Sequence, residues 1–414
     1  LTPYVDFTYF LFLAYPVAIA IALGLLGLLG PRFILLASVG VLLFQVGDPL
    51  ALPSQAPANL AQLDFLIAYA LLSVGTVLLF GRIRHGAKVR WPFYIVLALA
   101  LLPLVAVKAY PLVAGSKWLG LALAAPTTSG TSPLVDAIGF VGISYMTFRV
   151  VDVLNVINDG LVQEPPGLVT VASYVLFFPT FSAGPVDRYL RFANDLKAMP
   201  RHAGACVRDL ERGISRIFQG FLYKFVLAYL VNEYALVPSS KIPGALGLAA
   251  YGYAYLLYLF FDFAGYSAFA IGVGHFFGIS VPENFNAPFL SRNFKELWNR
   301  WHISLSTYLR DHVYRRFVLT AQRRSWFGGN LLLANYCGLF LTMFTMGLWH
   351  GLSPHFVVYG AFQGAMVVAA DAVGRWNRQA RRIPQNILTD VGGVALTLSL
   401  FAFSLLIFSG RLFD

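Results

Sequence analysis

The chain alternates long apolar runs with short polar or basic loops, and none of the runs shows the every-second-residue alternation of a half-buried strand. Runs near 8–29, 33–47, 64–80, 92–107, 137–151, 214–236, 248–264, 330–350, 355–374 and 390–409 approach the ~20 residues that a helix needs to cross a bilayer. The pattern predicts an all-α polytopic membrane protein. Two further runs are interrupted: 168–185 by Pro179 and the Ala183-Gly184-Pro185 step, and 266–280, after Gly265, by Gly272, Gly274 and Gly278. Charge decides how to read them. Arg82 to Arg90, Arg188 to Arg216, Arg292 to Arg324 and Arg375 to Arg382 are dense in Lys and Arg, whereas loops 48–63 and 237–243 carry almost none. An outer N-terminus and about ten crossings place every dense stretch in the cytoplasm, provided that 168–185 and 266–280 are re-entrant or interior. Such segments are tolerated at membrane depth only where protein encloses them or water lines them, so they predict a cavity.

One stretch is polar where its neighbours are apolar. Phe294 to Phe317 reads FKELWNRWHISLSTYLRDHVYRRF. As a single helix it places Lys295, Asn299, His302, Ser306 and Arg310 on one stripe, beside an apolar face of Phe294, Leu297, Trp298, Trp301, Leu305, Tyr308 and Leu309. A helix of this kind packs inside the protein and turns its polar stripe toward a cavity.

Composition agrees with this picture, since 58% of the 414 residues are hydrophobic and 12% are charged. No internal repeat or long linker appears, so one domain is expected over 1–414: N-terminal spans (1–130), a core (131–375) and a C-terminal span (388–410). The run from Phe7 to about Gly30 lacks a basic leader and is read as a retained span. The balance of 30 Lys and Arg against 19 Asp and Glu gives +11, bunched in juxtamembrane loops. That is the positive-inside signal rather than a nucleic-acid surface, and a basic cytoplasmic face would also attract an acidic soluble partner. Cys206 and Cys337 suggest neither a disulfide nor a metal framework.

Seven histidines carry the candidate chemistry. His85 and His202 lie in basic loops, and His275 lies in a glycine-rich apolar segment that suits a buried hydrogen bond. His350, in TMFTMGLWHGLSPH, ends an apolar run and is flanked by Gly347 and Gly351 at a spacing that lets helices approach closely. An imidazole there is a functional candidate, able to take a proton from a hydroxyl and return it to a leaving group. For His302 two readings stand, a group that orients substrate and a structural hydrogen bond in a polar core. Asp262, in FFDFAGYS, reads as an intramembrane acid, either a proton relay or, more simply, a partner for a nearby arginine or backbone group. Glu283 reads as loop. No metal site is expected, because His350 and His355 are five apart with Pro354 between them and no acid or Cys cluster accompanies them. Nucleophile-elbow, Walker and Rossmann signatures are absent from the sequence.

FFDFAGYSAFAIG (260–272), PENFNAPFLSRNFKELWNRWHISLSTYLRDHVYRRF (282–317) and MGLWHG (346–351), with SAGPVDRY (182–189) upstream, resemble the membrane-bound O-acyltransferases and, within them, the D-alanyl-transfer branch. The resemblance implies a ring of about ten to twelve helices with re-entrant segments around a central funnel and tunnel. It makes His350 and His302 the catalytic candidates and Asn299, Ser306, Trp349 and Asp262 the substrate-binding ones. It also implies that the chain binds no cofactor of its own. The donor would be an acyl thioester on the phosphopantetheine arm of a small acidic acyl carrier protein, docking on Arg310, Arg315, Arg316, Arg323 and Arg324 or on Arg188 to Arg216. The acceptor would be a hydroxyl on the outer side, on a teichoic-acid-like polymer such as lipoteichoic acid or on a small membrane or extracellular relay protein. The expected setting is the lipid of a bacterial inner membrane. An O-acetylase of an exopolysaccharide such as alginate or cellulose is the nearest alternative. A transporter would also have interrupted segments, but no inverted repeat is evident.

Overall fold

The computed structural model describes residues 2–48, 56–86, 91–113, 142–162, 164–199, 202–384 and 386–413. Residues 137–141 of the expected run 137–151, residues 114–130 of the expected N-terminal spans, residues 49–55 of loop 48–63, and Lys88, Arg90 and Arg201 of the basic stretches lie outside the described residues. Among the described residues the regular structure is helical, and the one β-type pairing is an isolated bridge between Phe285 and Trp301.

The helices are α1 (Phe7–Leu25), α2 (Pro31–Gly47), α3 (Ala56–Gly86), α4 (Trp91–Val113), α5 (Ile143–Asn158), α6 (Leu168–Leu176), α7 (Tyr189–Lys197), α8 (Ala203–Ser239), α9 (Gly244–Phe276), α10 (Phe294–Trp298), α11 (Ile303–Leu309), α12 (Arg315–Arg323), α13 (Leu331–His350), α14 (Pro354–Ala380) and α15 (Ile387–Phe408). Among the described residues α1, α3, α4, α8, α9, α13, α14 and α15 contain stretches long and apolar enough to cross a membrane. α2 and the segment Leu168–Thr180 are shorter apolar helices. These elements carry the all-α polytopic architecture that the hydrophobic pattern predicts.

By packing, the chain divides into two compact units, Leu1–Gln219 with Tyr266–Pro282, and Gly220–Gly265 with Glu283–Asp414. In the first unit the core includes an aromatic cluster in which Tyr4 stacks on Phe269 at 5.6 Å and meets Tyr9 and Tyr266 edge-on. α5, which covers the described part of the expected run 137–151, carries Arg149, Asp152 and Asn155 into the buried interior. Arg149 explains the break in the 168–185 run. α6 stops at Leu176, which leaves its last carbonyls without helical partners. The Arg149 guanidinium donates to the carbonyls of Tyr174, Val175 and Phe177, each at 3.1 Å, and to Thr180 Oγ1.

Two expectations are corrected. The run 266–280 is not a separate interior segment, because α9 continues through Gly265 to Phe276 and turns only at Gly278, where φ is +68°. Gly265 marks a close approach rather than a helix end: a Cβ there would lie 2.8 Å from the backbone nitrogen of Lys224. The stretch 294–317 is likewise not one helix, since it breaks between Trp298 and Ile303 and passes through a π-helical turn at Arg310–Tyr314.

In the second unit α13 and α14 form a hairpin whose helices touch through Gly347 and Gly360. A Cβ on Gly360 would come within 3.0 Å of the Gly347 Cα and the Phe344 carbonyl. Gly351, the other half of the expected small-residue pair, faces the Phe356 ring instead.

Candidate active site

The break in 294–317 has local causes. Trp298 and Trp301 are both buried, Trp298 donating its indole N–H to Gln363 Oε1 at 3.1 Å and Trp301 packing edge-on against Phe285 and Phe401. Backbone bonds from Asn286 N to Arg300 O and from Ile303 N to Asn284 O then pull residues 300–303 alongside the 284–286 loop. The Ser304 hydroxyl donates to Asn284 Oδ1 at 2.5 Å. To join this rung to α11, His302 adopts φ +46° and ψ +49°, a left-handed conformation uncommon for a residue with a Cβ. Residues held this way persist only where the surroundings over-determine them, and they cluster at functional sites.

The break also disperses the expected polar stripe. Lys295 pairs with Asp371 at 2.7 Å, which also accepts from Arg375 at 2.6 Å, while Asn299 and Arg310 are exposed. His302 and Ser306 stay on the inward side. His302 Nε2 and Ser306 Oγ are both buried and have no hydrogen-bond partner. Buried polar atoms without partners carry a desolvation cost, and a pair of them one helical turn apart suits a polar ligand.

His350 is the last residue of α13, where the chain turns through Gly351 into α14. Its ring meets Phe408 edge-on at 4.9 Å, Tyr359 at 6.3 Å and Trp349 at 4.6 Å, and Trp349 in turn lies 6.5 Å from the His302 ring. Phe263 closes the other side of His302 at 4.7 Å, edge-on. The two imidazoles are near enough for their charges to oppose one another. Burial first, and the His350 charge second, push the His302 imidazole down to about 3, so it is neutral at ordinary pH. A neutral His302 presents one ring N–H and one acceptor nitrogen, the pattern of a group that orients a substrate.

Asp262 pairs with Lys224, so its partner is a lysine of α8 where the sequence suggested an arginine or a backbone group. Lys224 was not singled out from sequence, although a cation in the middle of the apolar run 214–236 is the signal that marks it. Tyr359, Phe408 and Gln363 were also missed, because aromatic and amide residues in apolar runs carry no chemical signature. Of the expected docking arginines, Arg310 and Arg315 share Asp311, at 3.5 and 3.0 Å, and Arg323 and Arg324 are exposed at the end of α12. Away from this site, His275 lies 3.8 Å from Asp209, and the Cys206 thiol donates to the Gly24 carbonyl. Cys206 lies in the first turn of α8.

Residues 93–411 match the membrane-bound O-acyltransferase family. A teichoic acid D-alanyltransferase of Bacillus subtilis (strain 168) is 41% identical over 284 residues, covering 68% of this chain and 71% of that protein. The teichoic acid D-alanyltransferase of Streptococcus thermophilus is 36% identical over 372 residues, covering 86% and 84%. A probable alginate O-acetylase of Pseudomonas syringae pv. tomato is 36% identical over 256 residues, covering 61% of this chain and 47% of that longer protein. With the family match running over most of its length and its apolar helices long enough to cross a bilayer, the chain belongs to the membrane-bound O-acyltransferase family and is a multi-pass acyltransferase of the cell membrane.

Proposed function

We propose that this acyltransferase moves a D-alanyl group from a phosphopantetheine thioester, carried by a small acidic protein on the cytoplasmic side, to a hydroxyl of a teichoic-acid-like acceptor on the outer side. The observation that carries this reading is the meeting of His302 and His350 around Trp349, in a chain whose relatives include teichoic acid D-alanyltransferases. In the reaction His350 takes the acceptor hydroxyl proton as its oxygen attacks the thioester carbonyl. The tetrahedral intermediate then collapses, the C–S bond breaks, and His350 returns the proton to the departing thiolate. His302 and Ser306, whose inward polar atoms lack protein partners, hold the thioester or its oxyanion. Asp262 and Trp349 shape the surrounding pocket. The basic segment from Arg310 to Arg324 receives the carrier.

A second reading, O-acetylation of an exopolysaccharide, is favoured by the alginate O-acetylase relatives. Donor choice separates the two. Purified protein in liposomes is offered a carrier loaded with labelled D-alanine or labelled acetyl donors, together with teichoic acid or alginate as acceptor. Label passing from D-alanyl carrier to teichoic acid supports the proposal, and label passing only from acetyl donors to alginate replaces it with the second reading.

A further inference from the structure

α9 begins just after loop 237–243, which carries almost no basic residues and is assigned by charge to the outer side. Along its first half Tyr251, Tyr255 and Tyr258 follow one another at helical spacing and are half-buried. Their rings are near-parallel, Tyr251 to Tyr255 at 5.8 Å and 21°, and Tyr255 to Tyr258 at 6.4 Å and 19°. The ladder has a cation at its outer end and leads at its inner end to Asp262 and Phe263 of the candidate site. The Arg411 guanidinium lies 4.6 Å from the centre of the Tyr251 ring and is anchored on the Ser240 carbonyl, next to the exposed Lys241. At the other end Tyr258 stands one helical turn before Asp262, and the next residue, Phe263, packs edge-on against His302 at 4.7 Å. Nothing in the proposed acyl transfer uses these tyrosines, and packing alone does not call for three phenols in register on a half-buried face.

We propose that the strip Arg411, Tyr251, Tyr255 and Tyr258 is an acceptor subsite that leads a phosphate-linked polyol chain to His350. Such a chain alternates an anion with a hydroxyl-rich carbon segment. Arg411 takes the phosphate through its planar fork, the carbon segment lies along the phenol rings, and the phenol hydroxyls bond the chain's hydroxyls. A track of several weak, repeating contacts lets a polymer advance unit by unit, presenting each hydroxyl to the base in turn. This inference rests on the acyl-transfer proposal for its chemistry, but it makes a binding claim that stands apart from turnover.

The test therefore reads binding first. The detergent-solubilised protein is titrated with poly(glycerol phosphate) oligomers and, separately, with oligomannuronate, using the wild type, Tyr251→Leu/Tyr255→Leu, Tyr251→Phe/Tyr255→Phe and Arg411→Gln. Folded amounts are matched by gel filtration. Expected are a Kd for the polyol phosphate about tenfold weaker in the Leu pair, a smaller loss in the Phe pair, which keeps the rings and lacks the hydroxyls, and a flattened salt dependence in Arg411→Gln. Tyr253→Leu, an exposed tyrosine on the same helix outside the ladder, serves as the control and should bind as wild type. Wild-type affinity in the Leu pair, equal weakening in Tyr253→Leu, or a loss confined to oligomannuronate would each overturn the subsite. If the Leu pair does not fold, the Arg411→Gln salt slope decides, and an unchanged slope counts against the proposal. A ladder effect on binding without any acyl transfer by the wild type would sink the proposed function and leave the subsite standing.

Discussion

His302 combines a left-handed backbone with a buried ring nitrogen that has no hydrogen-bond partner. Its presence in a WHISLS motif was legible in the sequence, as were His350 and the apolar run that ends there. Its left-handed backbone was not. That conformation comes from a rung with residues 284–286 and from two buried tryptophans, long-range facts that helical periodicity cannot contain. Burial also fixes a pH dependence. Because the folded imidazole titrates near 3 against 6.5 in the unfolded chain, the unfolded state binds the extra proton between those values. Its contribution to stability is full above about 6.5 and is lost as pH falls toward 3, at about 1.4 kcal/mol per pH unit. His302→Gln should therefore lose less apparent Tm than the wild type when the pH is lowered from about 7 to about 5. Equal losses in the two proteins would show that His302 is solvated and not buried.

At the scale of helices, small residues bring α13 and α14 together in one unit, and a buried cation caps a helix break in the other. The hydrophobic pattern showed α13 and α14 as separate spans and Gly347 as a point of close approach, but not that Gly360 is its partner, since pairing between helices leaves no local signature. Gly360→Leu should wedge the hairpin apart, costing about 1–3 kcal/mol of stability and displacing His350. Gly374→Ala on the same helix should be neutral or slightly stabilising, because a Cβ there meets nothing nearer than an Arg378 nitrogen at 3.9 Å. Thermal melts and transfer assays on both variants check the contrast, and equal behaviour would refute it. Arg149 sets the other break. Arg149→Met would leave the last carbonyls of α6 buried without donors, each at a cost of about 1–3 kcal/mol, and should lower Tm far more than removing an exposed arginine such as Arg323. The sequence showed that 168–185 breaks at Pro179, but not which residue caps the break.

For the whole molecule, the all-α polytopic character followed from hydropathy, because lipid admits few structures. The division into two units did not follow. Its boundaries at 219/220, 265/266 and 282/283 fall within helices or short turns, without the linker that would mark them in composition. Charge at this scale also ranks the arginines proposed to receive the carrier. Asp311 already offsets Arg310 and Arg315, so reversing Arg323 and Arg324 to Glu should weaken carrier binding more than reversing Arg315, and raising the salt should shrink the difference. An unchanged affinity in the Arg323/Arg324 variant would move the dock to the Arg188 to Arg216 segment.

The proposed proton transfer by His350 is open to a single-turnover measurement. Carrier loaded with radiolabelled D-alanine is mixed with an excess of wild type, His350→Ala or His302→Ala in acceptor-bearing membranes, at matched folded amounts. Loss of label from the carrier should slow about 10²–10⁴-fold in His350→Ala and less in His302→Ala, with acceptor labelling falling in step. Wild-type rates in His350→Ala would contradict the account.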